Sequence, residues 1–357
     1  MITAGDRAFD RDFKPRSVLI HVGLDLVGDA IMKLPFVHEL RQCFPCAHIT
    51  WVAGRGKSVY ASTLSPAVKG LIDEVIEGAG IGVHPRAFLS RPLGGRPFDL
   101  IIDTQRGGGA TLALKRIPHH RFIAPFARFL FSSRRPPPGY RPPPLLVRQM
   151  LDLLELAAGY PVPTPAVPII DDGPAFVEAA RALLPSGPFY VGLAPGAGGR
   201  AKCWPLDRFI ALARRQEERG RVPVFLLGPQ EEAWEAPLRA AVPRARWPLQ
   251  SDEAKARFQC SPLLTVALGR CLGVAISNDS GTGHMLALSG VPLISLFGPT
   301  RPDKFAPLTP RLTLLTAQTW GGGAEMERIP VLAVDTALEM ALAGTGHSAL
   351  HDSRAGA

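Results

Sequence analysis

The stretch FYVGLAPGAGGRAKCWPLDRFIALARRQEERGRVPVFLLG (189–228) decides the fold class. It opens on a short apolar run, FYVGLAP (189–195), passes through a glycine-rich turn, and continues with PLDRFIALARRQEE (205–218), whose apolar residues recur at helical spacing. It closes on a second apolar run, VPVFLLG (222–228). Short continuous apolar runs suit strands covered on both faces, and strand–helix–strand order signals a parallel sheet with crossover helices.

The same alternation extends outward. AFVEAARALL (175–184) is a helix ahead of this unit; EEAWEAPLRAAV (231–242) and SPLLTVALGR (261–270) are helices behind it. Strand GVAISN (273–278), a short helix from His284 and strand VPLISLFG (291–298) complete the sheet, and LAVDTALEMALA (332–343) is the last helix. The first half repeats the pattern, with strands SVLIHVG (17–23), HITWVAG (48–54), DEVIE (73–77), FDLIIDT (98–104) and RFIAP (121–125). Ile31, Leu34, Val37 and Leu40 mark a helix in which Pro35 either introduces a kink or begins the regular part, and a further helix runs from about Leu145 to Ala158. The proline-dense RRPPPGYRPPP (134–144) reads as an extended surface excursion and PVPTPAVPII (161–170) as a stiff linker. The 357 residues, at roughly 150 per domain, fit two domains. The expected boundaries are 16–165 and 172–331, followed by a C-terminal helix over 332–344.

Composition narrows the class. Apolar residues are 46% and charged ones 20%, which excludes global disorder. No run reaches the roughly 18 apolar residues of a membrane-spanning helix, and the charged opening MITAGDRAFDRDFKPR is no secretory signal. Five scattered cysteines make no disulfide framework, so the expected compartment is the cytoplasm. Cys43 and Cys46 have no second pair, and they read as helix-end packing rather than metal ligands. The net charge of +9 is unevenly spread: from Thr104 to Leu151 there is no Asp or Glu. Arg106, Lys115, Arg116, Arg121, Arg128, Arg134, Arg135, Arg141 and Arg148 all fall there, a field that concentrates anionic partners. No helix-turn-helix, zinc-finger or RNP signature accompanies it, so nucleic acid is not the expected partner.

Ligands of open α/β sheets bind beyond the carboxyl ends of the strands, so three strand-to-helix turns carry most weight. In GLDLVGDAIMKLP (23–35), Asp29 is either a helix N-cap or a carboxylate poised to take a proton from a substrate hydroxyl. In PGAGGRAKCWP (195–205), the amides of Gly196, Gly198 and Gly199 with Lys202 would suit a diphosphate, although a glycine-rich surface turn would look the same. In SNDSGTGHMLALSGVPLISLFGPTRP (277–302), Ser280, Gly281, Thr282 and Gly283 lead into a helix whose free N–H groups make an anion site. Asp279 beside an anion makes better sense holding sugar hydroxyls; capping by Asp279 or Ser280 and a partly buried imidazole at His284 are the competing structural roles.

Taken together, VLIHVGLDLVGDAIMKLPFVHELRQCFPCAHITWVAG, PGAGGRAKCWPLDRF and SNDSGTGHMLALSGVPLISLFGPTRPDKFAP resemble the bacterial lipopolysaccharide heptosyltransferases, glycosyltransferase family 9. The resemblance runs in the same order from about Ser17 to the last helix. It implies an α/β protein of GT-B fold, two Rossmann-like domains facing a central cleft. The N-terminal domain would bind the acceptor and the C-terminal one the nucleotide sugar. It further implies an inverting, metal-independent transfer of heptose from ADP-L-glycero-β-D-manno-heptose to an anionic lipopolysaccharide-core (Kdo/heptose) acceptor, with no cofactor. The enzyme would work in the cytoplasm, peripheral on the inner face of the cytoplasmic membrane.

Residue by residue, the resemblance makes Asp29 the base and Lys202 a diphosphate contact. It gives Ser280, Gly281, Thr282 and Gly283 to the phosphate loop and Asp279 and His284 to the donor sugar. Glu231 or Glu232 would contact the ribose. Arg55, Lys57, Arg106 and Arg121 are the acceptor candidates, each equally readable as a solvated charge. The chain departs from the family at Ala197 and Gly198, where a hydroxyl residue is common, and at Gly283, where a bulkier one is. The proline-rich insert has no counterpart role. Competing readings are a relative using another nucleotide sugar, a nucleotide-sugar 2-epimerase, and a non-catalytic GT-B binding module.

Overall fold

A computed structural model describes residues 13–82, 91–166, 170, 173–259 and 261–344. Residues 1–12, 83–90 and 260, linker positions 167–169 and 171–172, and the tail beyond 344 lie outside the described residues. The chain divides into two units, Met1–Pro165 and Ala166–Ala357.

The first unit runs β1 (Ser17–Val22), α1 (Val27–Cys43), β2 (His48–Ala53), β3 (Glu74–Ile76), β4 (Phe98–Asp103), α2 (Gly108–Leu114), β5 (His119–Ile123), α3 (Phe126–Phe129) and α4 (Leu146–Ala158). Its sheet has the order β3-β2-β1-β4-β5, and every pairing is parallel. The second unit runs α5 (Pro174–Leu183), β6 (Tyr190–Ala194), α6 (Leu206–Glu218), β7 (Val222–Phe225), α7 (Glu235–Ala241), α8 (Asp252–Phe258), α9 (Pro262–Gly269), β8 (Val274–Asn278), α10 (Gly281–Ser289), β9 (Leu293–Phe297), α11 (Pro302–Phe305), β10 (Leu312–Thr316) and α12 (Val331–Leu342). Its order is β10-β9-β8-β6-β7, again all parallel.

Burial on both faces explains the unbroken apolar runs. Val191, Leu193, Ile276 and Leu296 point to one layer, with Phe209, Leu212 and Leu338. Tyr190, Ala194, Ala275 and Leu293 alternate to the other, with Leu264, Leu268 and Leu286. In both sheets the strand order reverses once, between β1 and β4 and between β6 and β8. The turns that follow those strands flank the crevice where ligands of such sheets bind.

Several elements differ from expectation. The sheet of the second unit does not end at β9. RLTLLT supplies β10 as an edge strand, half-buried throughout and therefore lacking a continuous apolar run. The segment 231–242 is two pieces, a 3₁₀ turn over Pro229–Trp234 and then α7, because Pro237 has no N–H with which to continue the ladder. Helices α2 and α8 were not anticipated; α8 is capped by the Ser251 hydroxyl, which accepts from Ala254 N. Helix α1 runs through Pro35 unbroken. The proline-rich 134–144 is free of helix and strand, yet it is moored rather than loose: Tyr140 donates to Asp152 at 2.6 Å.

Candidate active site

In the second unit, the residues singled out at two separate turns meet at the carboxyl ends of β6 and β8. Lys202 ends a 3₁₀ turn, Arg200–Lys202, in the connection after β6, and its Nζ lies 2.9 Å from Asp279 Oδ2 just beyond β8. The same oxygen accepts from Thr300 Oγ1 at 2.7 Å. Asn278, fully buried at the end of β8, fixes the two turns against each other. Its Oδ1 accepts from Trp204 N at 3.0 Å and its Nδ2 donates to the Pro195 carbonyl at 2.7 Å. The glycine-rich connection is thus gripped at both ends by one amide.

Helix α10 begins at Gly281, earlier than the expected start at His284, with Ser280 as its N-cap; the hydroxyl accepts from Gly283 N at 3.2 Å. Capping leaves the remaining first-turn amides at the positive end of the helix dipole, beside Lys202 and Asp279. A Cβ at Gly283 would meet Ser277 Oγ at 2.6 Å, so the first turn sits too close to β8 for a bulkier residue there. His284 is buried behind this turn, and burial pulls its pKa down to about 4, which keeps the imidazole neutral near pH 7.

The two glutamates after β7 part company. Glu231 is buried and accepts from Gly228 N at 2.9 Å, while Glu232 faces solvent. Burial raises the Glu231 pKa. A Cβ on Gly196 would come within 2.4 Å of the Glu231 carboxyl carbon, so glycine at 196 is what lets this carboxylate lie against the β6 turn.

In the first unit, Asp29 is not the N-cap of α1. Leu26 takes that place without a side-chain bond, and Asp29 lies in the first helical turn, half-buried, with no hydrogen bond or ion pair among the described residues. What holds its turn is a cluster that the sequence reading missed. Asp25 is fully buried and accepts from Lys33 Nζ at 2.8 Å, Trp51 Nε1 at 3.0 Å and Ser58 Oγ at 2.6 Å. The β1 connection is thereby tied to α1, to β2 and to the segment after β2. A signal was present, since an Asp and a Lys flanking an apolar helix start must find partners if buried.

The basic candidates separate. Arg55 and Lys57 follow β2 and are exposed, with no carboxylate partner among the described residues. Arg106 follows β4, also exposed, and donates to Gln149 Oε1 at 2.9 Å. Arg121 does not fit the acceptor role expected of it. It is 8% exposed in the middle of β5, its Nη1 donates to the Ala157 carbonyl at 2.6 Å, and its guanidinium stacks on Phe13. That hydrogen bond joins the edge strand to α4. Cys43 closes α1 half-buried and Cys46 is exposed; among the described residues no three His, Cys, Asp or Glu side chains gather to hold a metal. No helix among the described residues is long and apolar enough to cross a membrane.

Residues 86–328 match the family described as glycosyltransferase family 9 (heptosyltransferase). The chain belongs to glycosyltransferase family 9. Lipooligosaccharide heptosyltransferase 2 of Haemophilus influenzae is 30% identical over 142 residues, 39% of this chain and 39% of that protein. Lipopolysaccharide heptosyltransferase 2 of Escherichia coli is 30% identical over 121 residues, 33% of this chain and 34% of that one. The aligned stretches thus span well under half of these curated relatives. In structure the chain is similar to a family 9 glycosyl transferase of Veillonella parvula (TM-score 0.67, 19% identity, 92% of this chain and 97% of that one). It is also similar to the ADP-heptose lipopolysaccharide heptosyltransferase II of E. coli (TM-score 0.65, 19% identity, 92% and 99%). That likeness gives family 9's fold, two Rossmann-like α/β domains of the GT-B class.

Proposed function

We propose that the protein is an inverting, metal-independent heptosyltransferase. It takes ADP-L-glycero-β-D-manno-heptose as donor and a lipopolysaccharide-core (Kdo/heptose) hydroxyl as acceptor. Residues 172–331 bind the donor and residues 16–165 the acceptor. The observation that carries this reading is the convergence of Lys202, Asp279, Thr300 and the Ser280-capped start of α10 at the β6/β8 reversal.

The chemistry follows from those groups. Asp29 accepts the proton of the attacking hydroxyl, whose oxygen bonds to the anomeric carbon from the face opposite the leaving group. The anomeric C–O bond breaks and its electron pair leaves on the β-phosphate of ADP. Lys202 and the amides of 281–283 meet that charge, and preorganised donors of this kind are often the largest catalytic contribution. Asp279 orients sugar hydroxyls, with neutral His284 behind it adding no competing charge. Glu231, rather than exposed Glu232, reaches the ribose from the β7 turn. Exposed Arg55, Lys57 and Arg106 receive the anionic acceptor. The acid-free 104–151 segment suits work in the cytoplasm at the inner face of an anionic membrane, which the protein meets peripherally.

The test is a transfer assay across ADP-, GDP- and UDP-linked sugars in EDTA, with product anomeric configuration read by NMR. Inverted product from ADP-heptose alone is expected. Turnover of another nucleotide sugar in its place, loss of activity in EDTA, or donor conversion without acceptor would overturn the reading.

A further inference from the structure

We propose that Gln149 and the proline-rich insert 134–144 form a positioning device for Arg106, presenting its guanidinium as an uncompensated anion-binding group at the carboxyl edge of the first sheet. The proposal rests on the reading of Arg106 as an acceptor contact and gives the insert a role.

The geometry is a relay through one amide. Gln149 Nε2 donates to the Pro143 carbonyl at 2.7 Å and to the Pro144 carbonyl at 3.3 Å, and its Oε1 accepts from Arg106 Nη2 at 2.9 Å. The orientation of the amide is determined at both ends, because carbonyls only accept and a guanidinium only donates. Consecutive prolines suit the task. The segment is free of helix and strand, so no ladder N–H takes the carbonyls of Pro143 and Pro144, and the restricted φ of consecutive prolines keeps it stiff. The insert is fastened on the far side as well. Tyr140 donates to Asp152, which also accepts from Arg148 Nε at 2.9 Å, and the Tyr140 ring meets Phe129 edge-on at 5.9 Å.

The chemical point is the choice of a neutral acceptor. A carboxylate at 149 would neutralise Arg106 and be repelled by the proline carbonyls. An amide holds the guanidinium in place while leaving its charge and the rest of its donor fork for a ligand. No Asp or Glu lies between Thr104 and Leu151 to take that charge locally, and Asp152 is engaged by Arg148 and Tyr140. The ligand class is a carboxylate or phosphate group on the acceptor.

The experiment measures labelling of Arg106 by phenylglyoxal, mapped by mass spectrometry, with and without inorganic phosphate, in the wild-type chain, Gln149→Glu and Gln149→Leu. Phosphate should slow labelling of the wild type and leave Gln149→Glu unprotected; Gln149→Leu should label faster and be protected weakly. Equal protection in wild type and Gln149→Glu, or none in the wild type, overturns the proposal. Should Gln149→Glu fail to fold, as judged by its thermal transition, Gln149→Leu carries the same comparison. In the transfer assay, Gln149→Glu should raise acceptor KM by about tenfold, the equivalent of one charge-assisted contact, with kcat and donor KM near wild type. A rise in donor KM instead would make Gln149 merely structural. The labelling result stands without any transfer, so a wild type that moves no heptose would overturn the proposed function and leave this result readable.

Discussion

Lys202 and Asp279, 77 residues apart, form an ion pair of 2.9 Å across the point where the second sheet reverses its strand order. Each would face a different part of a nucleotide sugar, the lysine a diphosphate and the aspartate hydroxyls. The pair therefore makes opposite demands on its two members.

Replacing Lys202 with Ala should weaken ADP binding by between about tenfold and a hundredfold, the range of a lost charge-assisted hydrogen bond. Asp279→Asn should free the lysine, leaving ADP binding equal or tighter while transfer falls. Calorimetric titration of both variants separates the effects; parallel losses of ADP affinity would deny the division of labour.

Asp29→Ala removes the one carboxylate at the start of α1 that has no partner among the described residues. Transfer should drop by about a hundredfold or more, the usual contribution of a general base, with ADP affinity unchanged. The check is single-turnover transfer beside equilibrium ADP binding, and lost ADP binding would reassign the roles of the two units.

The buried Asp25–Lys33 pair gives a stability prediction. Lys33→Met leaves the Asp25 carboxylate, fully buried, with Trp51 and Ser58 as its remaining donors among the described residues. The expected cost is about 3 kcal/mol, the scale for an uncompensated buried charge, read as a lower urea midpoint. A midpoint unchanged from wild type would mean that water reaches Asp25.

His284 sets a pH window. Its folded pKa of about 4 lies below the unfolded value of 6.5, so the unfolded chain binds the proton more readily. Stability is unaffected above 6.5 and falls as pH drops from 6.5 towards 4, by up to about 3 kcal/mol. His284→Gln should flatten that part of the stability–pH curve, measured by thermal unfolding at successive pH values.

Most strands were legible because they are buried on both faces and so read as short apolar runs; β3, a half-buried edge strand, was read from DEVIE by its place in the alternation. Strand β10 was not, since Leu312–Thr316 is a half-buried edge in which Leu and Thr mix. The turns carrying Lys202 and Asp279 could be picked out from glycine content and position after strands. Their meeting could not, because it depends on β6 and β8 being neighbours, an order fixed by the whole sheet. Thr300 was hidden for the same reason: it reaches Asp279 only because β9 lies beside β8. Arg121 shows the opposite failure. Charge and a place near a strand end pointed outward, while the side chain turns inward to cap α4 and stack on Phe13.

Asn278 sets the terms on which this protein could be re-engineered. Because its amide donates to Pro195 and accepts from Trp204, neither aspartate nor leucine can replace both contacts, and the intervening loop would lose its anchorage. Side chains have room at 198 and 199, so a library aimed at the diphosphate-facing loop can vary these positions, provided the screen keeps this one side chain constant.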